Sequence, residues 1–246
     1  MPYAAVNGLN MYYEVHGVGP PLMLLHGGSG SIPTKWIPHF APHYRVIAIE
    51  QMGHGRTADA PERSFHYHDM AEDTAELMRH LGLENVVIVG YSDGGIIGLD
   101  LAIHHPACVT KLAVTGANFS LEGYKAESRE YTRTFDPAAS VAPESYVRLS
   151  PDGAGHWPIF LERLKRMWVV EPSYTADEIR SIQAPTLIIV GDKDIVMPEH
   201  AVEMFRTIPR AQLCVVPSGE HGVMPSEAVL RFLQEPPAGD NRFCHK

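Results

Sequence analysis

The chain has 246 residues, 45% of them hydrophobic, with 20 lysines and arginines against 29 aspartates and glutamates, for a formal net charge of −9. That length is near the upper end of what one hydrophobic core organises, so one main domain with room for an insertion is expected. The acidic balance opposes attraction to nucleic acid or anionic lipid, no apolar stretch approaches the ~20 residues that span a bilayer, and a neutral or cationic small molecule is the partner class that fits.

The amino terminus, Met1-Pro2-Tyr3-Ala4-Ala5-Val6, lacks a charged segment followed by a long apolar run, so no secretory signal is read and the cytoplasm is the expected address. Asn7-Gly8 between Ala4-Ala5-Val6 and Met11-Tyr12-Tyr13 predicts an opening hairpin. Strand-length apolar runs follow at 22–25, 46–49, 86–89, 112–114, 187–190 and 213–216. Helical periodicity marks 70–81, 95–104, 201–208 and 227–233. The alternation predicts an α/β fold, a mostly parallel eight-stranded sheet with helices on both faces. The rhythm breaks from about 119 to 182, which holds amphipathic pieces such as 159–168 but no buried strand. A helical cap over 119–182 is therefore expected, inserted into a core domain formed by 1–118 and 183–246. The Pro- and Gly-containing stretch at 235–240 is expected to carry the last residues into disorder. Cys108, Cys214 and Cys244 are odd in number and lack metal spacing, which implies neither a disulfide framework nor a zinc site. Cys214 sits in an apolar run and reads as a core residue.

Gly90-Tyr91-Ser92-Asp93-Gly94 directly follows one predicted strand and directly precedes a predicted helix. A G-x-S-x-G sequence in that context is a nucleophile elbow: a sharp turn forces the serine into a strained conformation and lifts its hydroxyl into the cleft above the sheet. A serine at neutral pH needs a base, and the base needs a group that fixes its tautomer. Gly191-Asp192-Lys193-Asp194 follows the strand at 187–190, and Asp194, in the loop rather than at the strand edge, is the expected carboxylate; Asp192 reads as a turn former. Among 14 histidines, His221 alone lies in the loop after the last strand, flanked by Gly219 and Gly222, and is the expected general base. The Gly-rich loop at His26-Gly27-Gly28-Ser29-Gly30 can present an amide to an oxyanion, so the hole is assigned to the backbone of Gly28 and Asp93. His26 is read as structural, bonding the loop backbone.

His26-Gly27-Gly28, Gly53-His54-Gly55-Arg56-Thr57, the elbow, Gly191-Asp192-Lys193-Asp194 and Glu220-His221, in that order, resemble the α/β-hydrolase superfamily across nearly the whole chain. Within it, Ser92-Asp93-Gly94-Gly95 followed by Gly116-Ala117-Asn118 looks like the branch that contains biphenyl hydrolase-like proteins and valacyclovir hydrolase. The resemblance implies a serine hydrolase acting on a small-molecule ester through an acyl-enzyme, without a cofactor. One departure is Glu50-Gln51-Met52 before Gly53, where the superfamily commonly has an aspartate and often an arginine.

Asp93 either binds a cationic group, as the resemblance implies, or stabilises the helix N-terminus. Aromatic residues of the insertion supply apolar surface for a pocket, with Trp157, Phe160 and Trp168 as the expected substrate contacts. The same residues could serve C–C bond hydrolysis, lactone opening or perhydrolysis. A ligand-binding receptor has no need of a complete serine, histidine and acid set, which disfavours that class. His66-Tyr67-His68-Asp69 reads as helix-capping or solvent-facing, and no metal is expected.

Overall fold

The computed structural model describes residues 2–235. Residues 236–240 of the expected carboxy-terminal tail and Cys244 lie outside the described residues. The opening hairpin pairs β1 (Tyr3–Val6) with β2 (Leu9–His16), and its turn holds Asn7 and Gly8 at φ +46° and +83°. Asparagine and glycine tolerate this left-handed pair, and its twist matches that of the flanking strands. There follow β3 (Pro21–Leu25), the short α1 (Ile37–Phe40), β4 (Arg45–Ile49), α2 (Tyr67–His80), β5 (Val86–Tyr91), α3 (Asp93–His104) and β6 (Val109–Thr115). Between β6 and β7 run α4 (Ala126–Thr134), α5 (Glu144–Leu149), α6 (Trp157–Trp168) and α7 (Ala176–Ser181). The chain then completes β7 (Thr186–Gly191), α8 (Pro198–Thr207), β8 (Ala211–Val216) and α9 (Ser226–Gln234).

The strands form one eight-stranded sheet in the order β1-β2-β4-β3-β5-β6-β7-β8. Pairing is parallel from β4 through β8, and β2 runs antiparallel to both its neighbours. Successive strand residues point to opposite faces, so the inner strands feed two cores. Met23, Leu25, Ile88, Val114 and Val190 pack on one face with α2, α3 and α8, whereas Leu22, Leu24, Val89, Ala113 and Ile189 pack on the other with α1 and α9. Burial on both faces explains why these strands read as continuous apolar runs rather than alternating ones.

α6 buries Trp157, Phe160, Leu161, Leu164 and Met167, a helical stripe that joins the α2/α3 face of the core. α7 begins with a reciprocal capping box between Thr175 and Glu178 and buries Ile179 in the same core. The loops after β3, β5, β7 and β8 leave the carboxyl edge of the sheet, the side where open parallel sheets bind ligands.

Candidate active site

Ser92 is the only residue between β5 and α3, with φ +53° and ψ −123°. A non-glycine residue in that region costs about 1–3 kcal/mol and persists only where its surroundings dictate it. Here they do. The Ser92 amide donates to the Thr115 carbonyl (2.9 Å), and the Ser92 carbonyl accepts from Gly95 (2.8 Å) and Ile96 (3.0 Å). The turn is so tight that a Cβ on Gly90 would stand 2.2 Å from the Gly94 carbonyl oxygen.

Three loops converge on the hydroxyl. His221 Nε2 lies 3.0 Å from Ser92 Oγ, and His221 Nδ1 lies 2.7 Å from Asp194 Oδ1. Asp194 is fully buried, and its Oδ1 also accepts the Val196 amide at 3.0 Å. A carboxylate can only accept, so Nδ1 carries the proton and Nε2 is left to accept from the serine hydroxyl. Asp192 is exposed, and its amide donates to the Val216 carbonyl at 3.2 Å. Gly116, at φ +59°, lies beneath the pair: a Cβ there would meet His221 Nδ1 at 2.9 Å and Asp194 Oδ2 at 3.2 Å. Thr115 Oγ1 donates to the Val223 carbonyl (2.7 Å), tying the His221 loop to β6, and the Tyr91 ring packs on the imidazole with centroids 5.4 Å apart.

The loop that carries Gly28 is held by two buried imidazoles. His26 Nδ1 donates to the Gly27 carbonyl (2.7 Å) and its Nε2 accepts the Gln51 amide (3.1 Å). His54 Nδ1 donates to the Met52 carbonyl (2.8 Å) and its Nε2 accepts the Ser29 amide (3.1 Å). Burial pushes His26 down to about 4 and holds His54 well below the usual histidine range, which keeps both rings neutral with one donor and one acceptor each. Glu50 fills the position where the sequence departs from the superfamily. Its buried carboxylate accepts from the Arg56 amide (2.6 Å) and guanidinium (3.0 Å), so an acid on β4's edge braces the Gly53–Arg56 turn.

Gly28, Ser92, Asp93, Tyr91, Tyr124, Trp168 and His221 line a cavity of about 590 Å³, whose further wall is the α4 face bearing Glu127, Ser128, Arg129, Tyr131 and Thr132. Asp93, 6% exposed, turns its carboxylate to this cavity beside Gly28. Tyr67 Oη donates to Oδ1 (3.0 Å) and Trp168 Nε1 to Oδ2 (2.9 Å). Burial raises the Asp93 pKa, and the Trp168 and Tyr67 hydrogen bonds oppose that rise. Among the described residues no lysine or arginine pairs with Asp93.

Two expected substrate contacts are corrected. Trp157 and Phe160 do not line the cavity; they are buried in an aromatic cluster with Tyr146, and Phe160 also packs on His54. Their large apolar area is worth more inside the core than on a solvated wall. Trp168, the last residue of the same helix, does reach the cavity. Tyr67 and the α4 wall went unseen in the sequence, because α4 buries no residue and reads as polar. Among the described residues, one group of three side chains is spaced to share a metal ion, namely His68, Asp100 and His104, and none of them lines the cavity.

The sheet order, the serine on a strand-to-helix turn, and loops carrying Asp194 and His221 after β7 and β8 define an α/β-hydrolase-fold protein. A family model for the alpha/beta hydrolase fold matches residues 20–138. The chain is 28% identical over 247 residues to RutD of Azorhizobium caulinodans, provisionally named a carbamate hydrolase, spanning 90% of this chain and 91% of that protein. It is 28% identical over 249 residues to the serine hydrolase BPHL of Mus musculus, spanning 94% of this chain and 81% of that one. The BPHL match agrees with the branch that the Ser92-Asp93-Gly94-Gly95 motif resembles. A solved meta-cleavage product hydrolase from Pseudomonas fluorescens superposes with a TM-score of 0.74 at 22% identity, covering 94% of this chain and 96% of that one, a likeness of fold.

Proposed function

We propose that the protein is a serine hydrolase that cleaves small carboxylic esters through Ser92, His221 and Asp194. The observation that carries this reading is the unbroken line of hydrogen bonds from Asp194 Oδ1 through both imidazole nitrogens to Ser92 Oγ. Ser92 Oγ attacks the carbonyl carbon while His221 Nε2 takes the hydroxyl proton, and Asp194 stabilises the imidazolium that forms. The amides of Gly28 and Asp93 hold the oxyanion; one such donor typically contributes ~3 kcal/mol. The alcohol departs with the proton from Nε2, and water, deprotonated by the same nitrogen, hydrolyses the acyl-enzyme.

Asp93 narrows the substrate. A buried carboxylate on the cavity wall, with two neutral donors and no cationic partner among the described residues, calls for a positive charge from the ligand. An ester whose acyl group carries an α-ammonium meets that need beside the scissile bond. The likeness to RutD supports carbamates as a second class, since attack on a carbamate carbonyl uses the same groups.

Intact-protein mass spectrometry after reaction with a fluorophosphonate tests the assignment. A single adduct on wild type that is absent in Ser92→Ala, together with loss of p-nitrophenyl acetate turnover in that variant, is expected. Equal labelling or equal turnover in the two proteins would refute Ser92 as nucleophile.

A further inference from the structure

His66 and His68, read from the sequence as capping or solvent-facing, acquire partners in the fold. His68 stands in the first turn of α2, and Asp100 and His104 stand one turn apart on the adjacent face of α3. His68 Nδ1 lies 3.1 Å from Asp100 Oδ1 and 3.3 Å from Oδ2, and His104 Nδ1 lies 3.0 Å from the same Oδ1. One donor atom from each residue falls within 4.8 Å of the others. Ligands about 2.0–2.2 Å from a shared tetrahedral ion stand roughly 3.3 Å apart, so the two histidine–carboxylate separations of 3.1 and 3.0 Å suit side chains arranged round one ion.

Burial and charge point the same way. Asp100 is fully buried while the imidazoles of His68 and His104 are 52% and 37% exposed, which leaves an entry path from solvent to an inner carboxylate. Among the described residues no lysine or arginine pairs with Asp100. Its other oxygen is steered by Tyr174, whose hydroxyl donates to Oδ2 at 2.8 Å, as outer partners steer carboxylate ligands in metal sites. We propose that His68, Asp100 and His104 bind one divalent transition-metal ion of the zinc type, with solvent completing its coordination. Two imidazoles and a carboxylate suit zinc and its first-row neighbours rather than magnesium or calcium. The ion ties the start of α2 to the end of α3 and, through Tyr174, to the segment before α7. It sits one residue from Tyr67, which holds Asp93, so its first effect is to stiffen the scaffold behind the cavity.

Titration of the full, tag-free, chelator-stripped chain with Zn²⁺ against a competing indicator tests this, with thermal melting as the second readout. One equivalent bound at micromolar affinity, with a rise in Tm reversed by chelator, is expected for wild type and for the exposed-surface control His39→Gln. His68→Gln and His104→Gln are each expected to lower the affinity at least tenfold and to abolish the Tm rise; both alter exposed side chains and leave Asp100 in place. Absence of the tight equivalent in wild type, or undiminished affinity in both variants, overturns the proposal and leaves two histidines that merely share a carboxylate.

Discussion

Trp168 Nε1 donates to Asp93 Oδ2 at 2.9 Å, joining the last residue of α6 to the first residue of α3 on the cavity wall. The contact fixes the carboxylate in place without neutralising it. Asp93→Asn keeps the volume and one acceptor but removes the charge. If the carboxylate receives a substrate ammonium, the variant forfeits about 2 kcal/mol of binding, roughly thirty-fold. KM for α-amino esters is expected to rise by that factor while KM and kcat for uncharged esters stay within about threefold. Steady-state kinetics on a matched pair of esters checks this, and an equal loss on both sinks the ammonium reading.

Asp194 accepts from His221 Nδ1 at 2.7 Å and from the Val196 amide at 3.0 Å through one oxygen. An asparagine there can turn its amide toward Nδ1, force the other tautomer and leave Nε2 protonated, unable to accept from Ser92. Asp194→Asn is expected to lower kcat by about 10⁴-fold with little change in KM. A fall of less than tenfold would mean that another group orients His221.

Much of this architecture is legible in the chain because the inner strands β3 to β7, buried on both faces, are written as unbroken apolar runs, and the hairpin and β8 runs coincide with strands of the sheet as well. The turn at Ser92 is legible for a related reason: Gly90 and Gly94 stand where no side chain fits. What was not legible depends on pairs distant in sequence. Tyr67 reaches Asp93 across 26 positions and Asp100 gathers His68 across 32, and neither helix announces its partner by periodicity. The cavity wall failed for a different reason. Hydrophobicity marks what goes into the core, so it selected Trp157 and Phe160, whereas the wall is built by α4 from Ser128, Thr132 and the rings and stems of amphipathic residues.

Phe160 gives that distinction a measurable form. It is fully buried, with ring centroids 4.8 Å from His54, 5.6 Å from Tyr146 and 5.8 Å from Trp157. Truncation of a buried phenylalanine typically costs about 3–5 kcal/mol. Phe160→Ala is expected to lower the unfolding free energy measured in urea by an amount of that order while the folded variant keeps KM for small esters within about twofold. A large rise in KM without loss of stability would return Phe160 to the cavity wall.

Gly116 makes a complementary case, in which the alignment of the site is lost. Its φ of +59° is costly for alanine, and the added Cβ would lie 2.9 Å from His221 Nδ1 and 3.0 Å from Cε1. The imidazole has to move by several tenths of an ångström, away from the 3.0 Å contact with Ser92. Gly116→Ala is expected to reduce kcat by about 10–100-fold, the scale of loss that small misplacements produce, with a fluorophosphonate labelling rate reduced in parallel. Labelling at the wild-type rate would show that the loop absorbs the methyl group.

His26 couples the loop that carries Gly28 to pH. Its folded pKa of about 4 lies below the 6.5 of an unperturbed histidine because burial disfavours the imidazolium. Between those values the unfolded chain binds a proton that the folded chain refuses, so stability rises with pH through this window. The stabilisation is fully present above about 6.5 and is lost as pH falls toward 4, by a total on the order of 3 kcal/mol from this ring. His54, depressed by the same burial, acts in the same direction. Protonation would convert the His26 Nε2 that accepts the Gln51 amide into a donor, setting two N–H groups against each other at 3.1 Å. Urea unfolding at pH 5 and at pH 7.5 is therefore expected to show a lower midpoint at the acid end. His26→Gln should be less stable at neutral pH, with a smaller difference between the two pH values. An unchanged pH difference in that variant would assign the acid sensitivity to His54 and to groups outside the Gly28 loop.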